Sequence, residues 1–500
     1  MIRKVLVANR GEIAVRVMRT CRAMGIATVA LYSDADVKAL HRMEADEAVH
    51  IGPAAPNESY LNIEKILDAA KQTGADAIHP GYGFLSENAV FATAVIDAGL
   101  TWIGPPPNVI SQLGDKLVAR ELMKQHNVPL TPGAVLEGDD PAHWQTQADG
   151  VGYPLLVKAA AGGGGKGMRI VRESSEFVNA CQLAASEAKS AFGDDRIYLE
   201  KYIEKPRHIE IQILADTHGN VVHLYERECS IQRRYQKIVE ETPSPVITPE
   251  IRAAMGQTAV TAAQAAGYTN AGTVEFLFDP SSQSYYFLEV NTRLQVEHPI
   301  TEQVTGFDLV KLQVLVASGE PLPFQQEDIP MNGHSFECRI YAEDPAQNFF
   351  PSPGKLSVWK PPVGPGVRVD DGVYSGYDVP TSYDPILAKL VVSGPDRETA
   401  RQRMLAAMRE FVVLGVETSI PFLIEVFENE AFCEGDLSTH FIDEHFSGWS
   451  VPTPEADIVA IAAALDVMMP AQRAAGGGGG GVEEQPTPWS TLGPFRIGES

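Results

Sequence analysis

The stretch from Gly272 to Asn291 places two glutamates where they can face each other. Gly272 to Phe278 and Tyr285 to Asn291 read as strands, with Asp279 to Ser284 as the turn between them. A register centred on Ser282 sets Glu275 opposite Glu289, and the two-residue period of a strand puts Asn291 on the Glu289 face. Like charges in direct opposition repel. A divalent cation between them reverses the sign. Carboxylate and amide oxygens suit a hard ion such as Mg²⁺, which one or two carboxylates commonly hold together with substrate phosphates. The alternative is an exposed pair splayed into water. Arg293 continues the alternation, and its planar fork suits a planar anion; Glu297 beside it can take a proton. A further basic cluster, Gln232 to Lys237, is followed by Glu240 and Glu241, a run that also fits a salt-bridged surface strand.

A second candidate lies between Leu155 and Val171, which read as strand, glycine loop, strand. Glycines bare the backbone N–H groups and let phosphate oxygens approach closely. Gly162, Gly164 and Gly167 fit G-x-G-x-x-G, yet Met168 to Val171 is a strand, so no helix N-terminus backs the loop. A Walker A loop is also excluded, because Lys166 is followed by Gly167 instead of Ser or Thr. What remains is a hairpin able to close over a nucleotide, with Lys158 on its first strand, or else a surface hairpin without a ligand.

These residues need a scaffold. Lys4 to Ala8, Ile26 to Tyr32 and Ala77 to His79 read as strands, alternating with helices over Ile13 to Met24 and Tyr60 to Lys71. Such alternation predicts a parallel, doubly wound sheet. The turn after the first strand, Asn9-Arg10-Gly11-Glu12, lacks the dinucleotide fingerprint, so Asp34 and Asp36 read as a solvated turn. Short strands with glycine turns begin near residue 131, and strands with a helix over Arg397 to Glu410 lie beyond residue 331. Gly476 to Gly481 is a flexible linker by composition.

Five hundred residues predict two to four domains. The formal charge of -25, from 40 basic against 65 acidic residues, argues against nucleic acid and anionic membranes as partners. Cys21, Cys181, Cys229, Cys338 and Cys433 are scattered and contain no C-x-x-C, so they read as buried small apolar residues in a reducing compartment. The N-terminal apolar run is too short for a signal peptide, and no run approaches membrane-spanning length, so the expected location is the cytoplasm.

Taken together, residues 1–446 resemble the ATP-grasp superfamily and, within it, biotin carboxylase. The resemblance is carried by Ala8 to Ala14, His79 to Asn88 (His-Pro-Gly-Tyr-Gly-Phe-Leu-Ser-Glu-Asn), the Ala159–Gly167 loop, Pro206 to Glu210, Glu289 to His298, Glu337 to Ile340, and Pro380 to Asp384, all in order. It implies an α/β fold in three parts: a Rossmann-like domain over 1–115, an ATP-grasp domain over 116–330 with a mobile lid near 131–203, and a mixed α+β domain over 331–446, followed by a linker and tail over 447–500.

The resemblance also assigns roles. Lys116 and Lys158 match ligands of the ATP phosphates, under a lid holding Gly162, Gly163, Gly164, Gly165, Lys166, Gly167 and Met168. Glu200, Lys201, Ile203 and Leu277 match the adenine site, and His208 and Gln232 the ribose contacts; Tyr235 stands where the family often has His. Glu275, Glu289 and Asn291 match the Mg²⁺ (or Mn²⁺) shell. Lys237, Arg293, Gln295 and Val296 match the bicarbonate site, Glu297 the general base, and Arg339 and Tyr82 the biotin side.

The implied partners are bicarbonate, biotin or a biotin carboxyl carrier protein, carboxyltransferase subunits of an acyl-CoA carboxylase such as acetyl- or propionyl-CoA carboxylase, with fatty acid biosynthesis as the expected setting, and a second copy of the chain. The family's acceptor motif, Ala-Met-Lys-Met, does not occur; Leu122-Met123-Lys124 reads as helix surface, so biotin is expected free or on a separate carrier. Thr487 to Arg496 resembles the start of the linker domain of longer acyl-CoA carboxylase α chains. Three rival readings stand beside this one: another ATP-grasp ligase, such as a carbamoyl-phosphate or amino-acid ligase, a non-catalytic carrier-binding scaffold, and a nucleotide-binding regulatory module.

Overall fold

The computed structural model of the chain describes residues 2–136, 140–160 and 167–451, together with residues 460, 461 and 464. The central part of the glycine loop, Gly162 to Lys166, and the six-glycine linker and tail lie outside the described residues. Residues 1–451 pack as one unit.

Strands β1 (Lys4–Val7), β2 (Ala27–Ser33), β3 (Glu47–Gly52), β4 (Ala77–His79) and β5 (Thr101–Trp102) form a parallel sheet in the order β3-β2-β1-β4-β5. This is the doubly wound arrangement that the alternating pattern predicts. The first helix spans Gly11–Ala23. The next long helix spans Ile63–Thr73 and starts later than the apolar pattern suggests. Asn62 caps it by accepting from the Lys65 backbone N–H, which leaves Tyr60 free to enter the core.

A four-stranded sheet, β6 (Gly133–Val135), β7 (Leu155–Ala159), β8 (Arg169–Val171) and β9 (Ile197–Lys201), runs in the order β6-β9-β7-β8. Its apolar face packs on the helix Phe177–Phe192 to make a small core of its own. The element after the glycine loop is a strand, as read from the sequence.

The largest sheet has eight strands. It joins β10 (Arg207–Ala215), β11 (Val221–Arg233), β12 (Gln236–Thr242), β13 (Asn270–Asp279), β14 (Ser284–Asn291) and β15 (His334–Tyr341) to strands Ile386–Gly394 and Val367–Asp371. The order is β14-β13-β10-β11-β12-β15, then 386–394 and 367–371. Residues that the sequence pattern divides between two domains thus share one hydrogen-bonded sheet. Alternation explains its two faces. Ile209, Ile211, Ile213, Val274, Phe276 and Phe278 pack with Met255, Ala259, Ala262 and Ala263 of the helix Pro249–Ala266. Their neighbours His208, Glu210, Gln212, Thr273 and Glu275 are buried on the opposite face. On β15, Phe336, Cys338 and Ile340 enter another core, formed with Met404, Leu405 and Met408 of the helix Arg397–Glu410.

Two surface readings are corrected. Asp36 is fully buried: Arg10 donates to both its oxygens at 2.8 and 2.7 Å, and the Tyr60 hydroxyl donates at 2.7 Å. The turn that closes the parallel sheet therefore holds an ion pair, while Asp34 remains exposed beside His50. On the helix Lys116–Gln125, Met123 is fully buried, so only Lys124 of the Leu122–Lys124 run lies on the exposed helix surface. Asp36→Ala leaves the Arg10 guanidinium buried without its counter-charge. It should cost about 3–5 kcal/mol of stability, read as a lowered urea midpoint.

Candidate active site

The site lies on the polar face of the large sheet, and a local irregularity aligns its two facing glutamates. Near the turn, Asp279 pairs with Ser284 and Phe276 with Phe287. That register, continued, would put Leu288 opposite Glu275. A bulge between Glu275 and Phe276 in the pairing inserts one residue on β14 and restores Glu275 opposite Glu289. The sequence-derived pairing is correct, but it is produced by the bulge and not by a turn centred on Ser282. Asn291 falls beside them and donates to Glu275 Oε1 at 2.8 Å.

At the centre sits Lys237. Its ammonium donates to Glu210 Oε2 at 2.5 Å, Glu275 Oε1 at 2.9 Å and Glu297 Oε1 at 2.7 Å. Glu210 is held from behind by Arg227, whose Nε donates at 2.5 Å. Glu297, at the N-terminal end of the helix His298–Thr305, accepts from Arg339 Nη2 on its other oxygen at 3.0 Å. Arg339 Nε in turn donates to Glu240 Oε1 at 2.7 Å. His208 Nε2 lies 3.0 Å from Glu275 Oε2. The basic run is therefore divided. Lys237 and Gln232 turn inward, whereas the hairpin tip exposes Tyr235.

The electrostatics follow from this packing. Burial alone raises the Glu297 carboxyl, but Lys237, Arg339 and Arg227 outweigh it and hold the group well below the usual carboxylate range. Glu275 is likewise depressed against burial, by Lys237 and His208. Burial lowers the Lys237 ammonium, and its three carboxylates more than reverse that. Both Glu297 and Lys237 are thus charged at neutral pH.

Arg293 forms the rim. Its guanidinium donates to Asn291 Oδ1 at 3.1 Å, Gln295 Oε1 at 3.0 Å and Glu87 Oε2 at 2.9 Å. Val296 is half-buried, and its carbonyl accepts from Lys389. The Tyr82 ring lies 5.8 Å from the same ammonium. Lys116, first residue of a helix capped by Asp115, reaches Glu289 at 3.2 Å. Lys158 is buried against Glu200 at 2.9 Å.

A cavity of about 760 Å³ opens between Lys201, Tyr202 and Ile203 on one side and Tyr286, Leu437 and His445 on another. The Lys201 ammonium turns away from it to the Gly152 and Tyr153 carbonyls. Leu277 is half-buried on β13. Gly167, at φ +71°, would bring a Cβ within 2.9 Å of Ala159. Met168 does not line this cavity; it lies in a separate groove with Ile170, Leu183 and Tyr235.

Sequence reasoning missed Glu87, Arg227 and the 436–445 segment as parts of the site. Glu87 and Glu210 lay inside quoted motifs, and the polar period His208, Glu210, Gln212 pointed to a buried charged face. Nothing local marked Arg227 or Leu437.

A facing pair of carboxylates with Lys116 at Glu289, a buried Lys158 on a small sheet that leads into the glycine loop, and a nucleotide-sized cavity lined by Lys201 and Tyr286 fit an ATP-grasp ligase. Family comparisons agree and narrow it. Residues 1–110 match the biotin carboxylase N-terminal domain, 115–325 the carbamoyl-phosphate synthase L chain ATP binding domain, and 337–444 the biotin carboxylase C-terminal domain. Biotin carboxylase 1 of Bacillus subtilis is 53% identical over 447 residues, covering 89% of this chain and 99% of the relative. The biotin carboxylase of Nostoc sp. is 52% identical over 441 residues, covering 88% and 98%. The biotin carboxylase domain dimer of Hydrogenobacter thermophilus 2-oxoglutarate carboxylase, solved with MgADP, ADP and bicarbonate, superposes with a TM-score of 0.86 at 47% identity, covering 91% of this chain and all of that one. The chain belongs to the biotin carboxylase family.

Lys237→Met should expose the electrostatic role of the ammonium. With it gone, protonation of Glu210, Glu275 and Glu297 becomes more favourable in the folded state than in the unfolded one. Folding then takes up protons, and the variant loses stability as pH rises. Relative to wild type, the urea midpoint should report a loss of about 3–5 kcal/mol at pH 8 and a smaller one at pH 6. An equal loss at both would contradict the charge account.

Proposed function

We infer that the chain uses ATP and bicarbonate to carboxylate biotin, the first half-reaction of a biotin-dependent carboxylase. The observation that carries this reading is the position of Glu297: a buried carboxyl group between Lys237 and Arg339, with Arg293 on the rim.

In this reading the adenine occupies the cavity lined by Lys201, Ile203 and Leu437; Glu200 and Leu277 are assigned to the adenine as well, and His208 and Gln232 to the ribose. Lys116 and Lys158 neutralise phosphate oxygens. Glu275, Glu289 and Asn291 would hold Mg²⁺ (or Mn²⁺). Their oxygen donors suit a hard cation, and the mutual repulsion of the facing pair favours one. The ion, when bound, supplies positive charge against the phosphates. The lid sheet and the Gly162–Gly167 loop exclude water.

Bicarbonate binds against Arg293, Gln295, the Val296 backbone and Lys237. Its negative charge draws the cations away from Glu297 and adds repulsion, both of which raise the carboxylate's proton affinity. Glu297 can then take the bicarbonate proton. The bared oxygen attacks the γ-phosphorus, the bond to ADP breaks, and carboxyphosphate forms. Here the protein mainly positions and stabilises charge. Carboxyphosphate splits into CO₂ and phosphate, and the phosphate accepts the biotin N1′ proton. Arg339 stabilises the resulting ureido oxyanion while N1′ attacks CO₂. Tyr82 borders the biotin side.

The same reading keeps the three-part division at about residues 115 and 330, with a lid over 131–203. It assigns biotin, free or on a biotin carboxyl carrier, as the acceptor, the acyl transfer to carboxyltransferase subunits, and the working form to a homodimer. Similarity to a dimeric biotin carboxylase domain supports the last. The relatives include subunits of pyruvate carboxylase and of methylcrotonoyl-CoA carboxylase, so the reading leaves the final acceptor, including acetyl-CoA for fatty acid biosynthesis, to the partner subunits. The reading also places the chain in the cytoplasm, a reducing setting that the five free cysteines suit. No described helix is long and apolar enough to cross a membrane.

ATP cleavage with Mg²⁺ and bicarbonate should rise when free biotin is added, and the rise should vanish without bicarbonate. Glu297→Gln should lower this turnover by about 10²-fold or more while leaving ATP affinity near wild type. Arg339→Ala should spare bicarbonate-dependent ATP cleavage more than biotin carboxylation. ATP turnover indifferent to biotin would overturn the reading.

A further inference from the structure

Behind Arg339, away from the proposed bicarbonate site, lie two carboxyl groups that the mechanism does not use. Glu240 on β12 and Glu337 on β15 are direct cross-strand partners, and both are completely buried. Glu240 Oε1 accepts from Arg339 Nε at 2.7 Å and lies 2.6 Å from Nη2. Its other oxygen has no hydrogen-bond partner, and neither oxygen of Glu337 has one. Three buried acceptor oxygens without a protein donor are costly unless a proton is present among them.

The surrounding charges point the same way. Five buried carboxyl groups, Glu210, Glu240, Glu275, Glu297 and Glu337, share the cations Lys237, Arg227 and Arg339, with His208 at the edge beside Glu275. From the neighbouring strand, Lys389 faces Arg339 across the pair. It is already engaged by Glu12 at 3.2 Å and Asp370 at 3.9 Å. His298, on the helix packed against this strand, is held neutral by burial and by Lys389. Burial pushes Glu337 well above the usual carboxylate range, with Glu240 and Glu297 adding to it against Lys389 and Arg339. Burial likewise raises Glu240, to about 7, against the pull of Arg339.

We propose that Glu240 and Glu337 are a positioning pair for Arg339: Glu337 is kept as the neutral acid, and Glu240 is the carboxylate that aims the guanidinium at biotin. The proposal rests on the assignment of Arg339 to biotin. Loss of the Glu337 proton would put a second negative charge behind the guanidinium and draw it back from the substrate. Neither residue touches a reacting atom.

The test is steady-state kinetics of the full chain from pH 6 to 9.5, with ATP cleavage measured with and without free biotin. In wild type, the KM for biotin should climb about tenfold per pH unit once the pair loses its proton. Glu337→Gln keeps a neutral side chain of the same shape that can donate a hydrogen bond. It should match wild-type kcat within about twofold near neutrality and lack the alkaline rise in KM, because the group whose proton is lost on the alkaline side has been replaced by a neutral amide. Glu240→Gln should raise the KM for biotin about tenfold while leaving biotin-independent ATP cleavage intact, as expected for a lost hydrogen bond to a charged group.

The proposal is overturned if Glu337→Gln follows the wild-type alkaline profile, or if Glu240→Gln lowers both ATP activities equally. Should Glu240→Gln fail to fold, the Glu337→Gln profile decides alone. Wild-type ATP cleavage that ignores biotin would overturn the biotin assignment itself, and this pair with it, a result distinguishable from either variant outcome.

Discussion

One ammonium group among three buried carboxylates is the constraint on which the site depends. Glu210, Glu275 and Glu297 come from three different elements, and Lys237 bonds to all of them. Without it they repel one another while buried, where breaking such a pairing is expensive. With it, three elements far apart in sequence share one fixed point. The strain is held by the large sheet, whose opposite face is a continuous apolar core behind the helix Pro249–Ala266.

The same arrangement connects stability to chemistry. A resting Glu297 clamped by Lys237 and Arg339 is a weak base, since its proton affinity is far below that of an ordinary carboxylate. In the proposed mechanism, an anion entering beside Lys237 and Arg293 relaxes that clamp and ties proton transfer to substrate arrival. Arg339 links two buried carboxyl groups, with one contact to Glu297 and another to Glu240.

Much of this was legible in the sequence because it is written in short-range patterns. The doubly wound start follows from strand and helix periods, and the facing glutamates from alternation on two strands joined by a turn. Even there, the agreement of register hides a bulge that no period-two reading could detect. Asp36 was misread for a related reason. Its partner Arg10 is 26 residues away, and a surface turn and a buried ion pair look alike until the chain folds. Arg227, Glu87 and Leu437 reach the site only through tertiary packing. The family resemblance supplied roles for residues whose spacing alone left several chemistries open.

The central claim is that the carboxylate of Glu297 frees a bicarbonate oxygen to attack ATP. Supplying bicarbonate labelled with ¹⁸O and analysing the phosphate by mass tests it most directly. The bond-making described here leaves one bicarbonate oxygen on phosphorus, so each biotin carboxylated should release one phosphate carrying a single label. Unlabelled phosphate at full carboxylation would show that bicarbonate never attacks phosphorus, and would contradict the account.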